Sequence, residues 1–138
     1  MKRCHNWPSE LARFIEEKRA QPFDWEKNNC AFFACDWLAR MVGVDPAAEF
    51  RDQVDSALSA QRVIAAAGGL DKIAAAACAR WGWPEVAWPL ARRGDPVEAP
   101  TDRGPKLGVC IGATAIFSGT NGLVFELMSG CSRAWRVS

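Results

Sequence analysis

The stretch FDWEKNNCAFFACDWLARMVGVDP, residues Phe23–Pro46, decides how the rest of the chain is read. Its apolar residues Cys30, Phe33, Ala34, Trp37, Leu38 and Met41 follow the i, i+3, i+4, i+7 spacing of a helix with one broad buried face. That spacing predicts a central helix that begins at Asn29 or Cys30 and stops near Gly43. Asp36 and Arg40 lie off the stripe, an acid four residues before a base, an order that favours a helix ion pair. The helix opens on a cysteine, and such a cysteine has two readings. Backbone N–H groups and the helix dipole favour a thiolate there, and the same N–H groups can hold an oxyanion. A small apolar residue opening a core helix needs no such chemistry.

Working outward, WPSELARFIEEKRAQ places Leu11, Phe14 and Ile15 at helical spacing, with Pro8 and Ser9 as start signals and Pro22 as the stop. DPAAEF reads as a short turn or helix after Gly43. DSALSAQRVIAAAGG and GLDKIAAAACARWG read as two Ala-rich helices parted at Gly68-Gly69. From Trp81 the texture changes. Pro84, Pro89, Pro96, Pro100 and Pro105 make residues 82–105 a Pro-rich connection in which helix is disfavoured. KLGVCIGATAIF, GLVFELMSG and SRAWRV are strand-like runs split by Gly, Asn and Ser turns. Helices over about 8–80 followed by strands over about 106–138 are an α+β order, not alternating βαβ. A chain of 138 residues suits one domain over its whole length.

The net charge is +1 and basic residues are interleaved with acidic ones, so no nucleic-acid partner is expected. No run approaches the roughly 18 apolar residues of a membrane helix, and MKRCHNWPSE lacks the apolar run of a signal peptide. Synthesis in the cytoplasm without membrane insertion is the expectation. Cys4, Cys30, Cys35, Cys78, Cys110 and Cys131 form no C-x-x-C pair. They read as reduced, buried thiols, with no metal or cofactor expected. Trp37 and Trp135 read as core, whereas Trp81, Trp83 and Trp88 around the Pro-rich connection are candidates for an exposed patch that meets a partner protein or a glycan. Asp95, in RRGDPV, reads as a turn residue that starts a strand.

The runs FIEEKRAQPFDWEKNNCAFFACDWLARMVGVDPA, AAGGL, ARRGDPV, PKLGVCIGATAIF and CSRAWRV span nearly the whole chain. In that order they resemble a family of small proteins of unknown function encoded among phage and prophage tail genes, related to the NlpC-type cell-wall cysteine peptidases. The resemblance implies a papain-like, NlpC-like α+β fold, with N-terminal helices packed on a small C-terminal antiparallel sheet. The NlpC-type pattern has a cysteine opening the central helix, a Gly-Asp pair opening the sheet, and a strand beginning His-apolar-Gly. Asn29-Cys30 and Gly94-Asp95 match the first two, which implies the nucleophile position for Cys30. The third reads Lys106-Leu107-Gly108, so Lys106 stands where the catalytic His would be. Ser118 and Asn121 are the nearest candidates for the polar residue that orients that base.

This departure bears on activity. A thiol of ordinary pKa, about 8.5, is only a few per cent ionised at neutral pH and needs a base beside it. Lysine is a poor proton donor to a leaving amine unless desolvation lowers its pKa. His5, the only histidine, precedes the first helix and is the other candidate base. The implied role is a structural component of a phage tail tip or baseplate, located in the virion, on a degenerate cysteine-peptidase fold without catalysis. Its implied partners are other tail-tip proteins, with peptidoglycan as a further one. The rival is an active cysteine hydrolase that cuts peptidoglycan peptide bonds during genome entry, with Cys30 as nucleophile and His5 or Lys106 as base.

Overall fold

Local signals account for the helices of the computed structural model, which describes residues 2–138. Helix α1 (Trp7–Lys18) carries Pro8 in its first turn, where the missing N–H breaks no helical bond. Helix α2 (Cys30–Val42) starts where the Asn29 side chain accepts from the Phe32 N–H, and ends at Gly43. Gly43 has φ 76°, a left-handed conformation that glycine adopts without strain. Both ends of α2 lie where the spacing predicts. Helix α3 (Ala57–Ala67) opens on a capping box made by Ser56 and Ser59, and Gly68-Gly69 separates it from α4 (Leu70–Arg80). Among the described residues, no helix is long and apolar enough to cross a membrane.

The sheet begins earlier than the prolines imply. Strands β1 (Glu85–Val86) and β2 (Pro96–Thr101) lie inside the stretch read as a connection, with one 3₁₀ turn, Trp88–Leu90, between them. Strands β3 (Gly104–Cys110), β4 (Thr114–Gly119), β5 (Gly122–Leu127) and β6 (Arg133–Trp135) follow. The order is β1-β6-β2-β3-β4-β5, and every neighbouring pair is antiparallel. Two prolines fit in β2 because Pro96 is its first residue and Pro100 lies beyond Val97 and Glu98, the positions that pair with β6. The class is α+β, as the order of elements predicts.

Helix α2 is the centre of the packing. Phe33, Trp37 and Met41 are fully buried against Leu11 and Phe14 of α1 and against Leu107, Val109 and Ile116 of the sheet. Each such side chain contributes about 1.5–3 kcal/mol by leaving water. The Trp37 Nε1–H donates to the Gly94 carbonyl at 2.9 Å, which satisfies its polar atom. Strand alternation turns Leu107 and Val109 toward the helices and Lys106, Gly108 and Cys110 to the opposite face. A second apolar cluster, including Val97, Cys110, Phe117 and Ala134, occupies that far face. Gly108 is required there, since a Cβ would stand 2.3 Å from the Ile116 carbonyl oxygen.

Three expectations change in the structure. Asp36 and Arg40 do not pair with each other: Asp36 binds Lys18 and Arg51, each at 2.8 Å, while Arg40 binds Glu17. Partners from other elements are available to both side chains and take precedence over the weak contact within the helix. Trp83 is buried and Trp81 half-buried, so of the proposed patch only Trp88 is exposed. Asp95 is more than a turn residue. It is fully buried and accepts from Arg3 Nη2 at 2.7 Å, from the Arg92 N–H at 2.8 Å and from the Val137 N–H at 3.1 Å.

Candidate functional site

Cys30 lies where two strands of the sheet part. The Cys110 N–H donates to Asp95 O on the β2 side at 2.8 Å, so alternation turns the Leu107 N–H toward β4. Strands β3 and β4 pair only through Val109↔Ile116 and Cys110↔Ala115, so they have separated by Leu107. The start of α2 fills the gap. Ser118 Oγ donates to the Asn28 carbonyl at 2.8 Å and accepts from Asn28 Nδ2 at 3.1 Å, which fixes the turn before the helix. Cys30 sits there beside Leu107, and the backbone N–H groups of Leu107, Ala31 and Cys30 itself favour its thiolate.

These N–H groups favour the thiolate, but burial outweighs them. Burial pushes the Cys30 thiol up, and the three N–H groups together with the charge of Lys106 only partly oppose the rise. The centre therefore resembles an oxyanion site in its donors, in surroundings whose burial disfavours the thiolate.

Neither candidate base is brought to the thiol. Lys106 projects from the far face of β3, where its ammonium pairs with Glu126 and lies 4.3 Å from the centroid of the Phe117 ring. The side chain that β3 turns toward Cys30 is Leu107, which is 8% exposed and packed in the helix-side core. His5 is exposed, and the arm that carries it is anchored at the other end of α2, where the Cys4 N–H donates to Met41 O at 2.8 Å. Met41 is eleven residues along the helix from Cys30, about 16 Å at the helical rise. Ser118 stands beside the start of α2, whereas Asn121 is exposed in the hairpin between β4 and β5.

Sequence reasoning passed over two residues here, Leu107 at this centre and Glu98 on the neighbouring strand. Leu107 could have been found from the alternation in KLGVCI, where Leu107, Val109 and Ile111 share a face and Lys106 cannot join them. Glu98, directly across β2 from Leu107, had no such signal because Pro96 and Pro100 flank it. Its carboxylate is buried on the helix side of the sheet, with Arg133 Nη1 3.8 Å from Oε1. Among the described residues, Oε1 has no hydrogen-bond partner, and burial pushes the Glu98 carboxyl up. All six cysteines are unpaired, and among the described residues no cluster of three His, Cys, Asp or Glu side chains could hold a metal.

The chain matches, over residues 2–137, the family described as a domain of unknown function, DUF6950, and it belongs to that family. No curated protein matches it.

Proposed function

We propose that this DUF6950 domain is a non-catalytic structural component of a phage tail tip, on a papain-like, NlpC-like scaffold whose thiol centre lacks a base. One observation carries the loss of catalysis: alternation along β3 puts Leu107, which lines the same cavity as Cys30, on the helix side and Lys106 on the opposite face, over the Phe117 ring. Thiol hydrolysis needs a group on the helix side that takes the thiol proton and returns it to the leaving amine. An alkyl group can do neither. The papain-like assignment is supported by the order of elements and by a cysteine that opens the central helix against an antiparallel sheet. The tail-tip location, and other tail-tip proteins as partners, rest on the sequence resemblance.

The test is the alkylation rate of Cys30 by iodoacetamide as a function of pH, followed by mass spectrometry of the Cys30 peptide. Cys30→Ala identifies that peptide, and the unfolded chain supplies the reference rate. At pH 7 the folded protein is expected to react at least tenfold more slowly than the unfolded chain. A thiolate titrating well below 8.5, together with peptidoglycan cleavage that Cys30→Ala abolishes, would overturn the reading in favour of a hydrolase. Mass spectrometry of purified virions tests the location, and absence of the chain from tails would remove it.

A further inference from the structure

Beside Cys30 the fold leaves a cavity of about 110 Å³ between α2, α3, α4 and the segment that joins α2 to α3. Its walls include Phe32, Phe50, Ile64, Ile73, Ala74 and Leu107, with Cys30 and Cys35 also in the lining. The exposed Trp25 stands at its rim. The one amide side chain in the wall is already committed. Asn29 Oδ1 accepts from the Phe32 N–H at 2.9 Å, and its Nδ2 donates to Trp25 O at 2.8 Å.

That lining sets the chemistry of an occupant. Water held in a cavity needs two to four polar partners, and this wall offers no free amide or carboxylate. A charged or hydroxylated group placed inside would lose its hydration and find no replacement. An apolar group loses nothing on entry and gains the dispersion contacts that the open space forgoes. Apolar cavities of about 150 Å³ take a benzene-sized molecule, so this one suits a single small ring or branched chain.

We propose that this cavity is a binding site for one branched aliphatic or aromatic group of roughly six carbon atoms. The site goes beyond the structural role proposed above and does not depend on whether Cys30 reacts. Two sources share this chemistry: a free apolar molecule and a leucine- or phenylalanine-like side chain of a peptide.

The experiment titrates the intact protein with toluene and, separately, with N-acetyl-leucinamide, following the methyl resonances of Ile64 and Ile73. Ala74→Leu fills the cavity from the α4 wall, and Ala60→Val does so from α3 where the larger change disturbs folding. Ala79→Leu, on the exposed side of α4, is the control. Saturable shifts with both probes, weakened at least tenfold by a filling substitution and unchanged by Ala79→Leu, support the site with a peptide side chain as a source. Saturation by toluene alone supports the site with a free apolar molecule as the source. Absence of saturable shifts with either probe, or binding that neither filling substitution weakens, overturns the proposal. Cys30 alkylation without a probe tests the catalytic question separately, so the two readings can fail independently.

Discussion

At Leu107 the fold sets an isobutyl group in the same cavity wall as Cys30, whose thiolate the N–H groups of Leu107, Ala31 and Cys30 favour. If the missing part is a base, supplying one on this face should restore reactivity. Leu107→His is expected to raise the Cys30 alkylation rate at pH 7 by tenfold or more, within the range that positioned acid–base groups deliver. The imidazole is polar in an apolar wall, so stability should fall by about 1–3 kcal/mol. An unchanged rate in a folded Leu107→His protein would place the defect elsewhere in the centre. Glu98 makes a second prediction at this scale. Burial raises its folded pKa above the unfolded value, so between the two values the folded state binds more protons. The contribution of Glu98 therefore favours folding at acid pH and declines as pH rises through the folded pKa. Glu98→Gln should stabilise the protein at pH 7, by up to about 1 kcal/mol in urea denaturation, and the gain should vanish below the ordinary carboxylate range. A gain that persists there, or a loss at pH 7, would contradict the assignment.

Helix α2 is the element that holds Cys30, and its two ends are separable by mutation. Asn29→Ala removes the acceptor for the Phe32 N–H and should cost about 1 kcal/mol. Because Asn29 also donates to Trp25 O, the same change should speed Cys30 alkylation as the preceding turn loosens. Gly43→Ala strains the left-handed C-terminus and should cost about 1 kcal/mol while leaving that rate within twofold, since it acts at the distant end. Equal effects on the thiol from both ends would mean that α2 responds as one rigid body. The ends of α2 were legible in the sequence because caps and periodicity are local. Strand β2 was not, because proline speaks against a strand until the pairing of each position is known, and β6 supplies that pairing from the far end of the chain. The spacing of Lys106 matched a family pattern, but spacing does not report which face of the strand a residue occupies.

Across the whole molecule, the succession of helices and strands was readable from composition and period. Closure of the chain on itself was not. Arg3 donates to Val137 O at 2.7 Å across a separation of 134 residues, and to Asp95 Oδ1 at 2.7 Å across 92. No local signal marks such partners, and Asp95 looked like a turn residue because its Gly-Asp setting is that of a turn. The structure instead makes Asp95 the shared acceptor of the N-terminal arm, the loop before β2 and the last residues of the chain. Its side chain is 0% exposed and that of Arg3 only 10%, so each charge relies on the other. Removing one partner from such a pair leaves an unmatched buried charge, at a cost of about 3–5 kcal/mol. Asp95→Ala should reach the upper part of that range in urea denaturation, because it also strands the Arg92 and Val137 N–H groups. Arg3→Met should cost less, since those two N–H groups remain bound to the carboxylate. The double variant should lose clearly less than the sum of the single losses, because the second substitution removes a charge that the first has already orphaned. Additive losses would mean that the arm and the C-terminus are held independently, and that the buried pair does not couple the two ends of the fold.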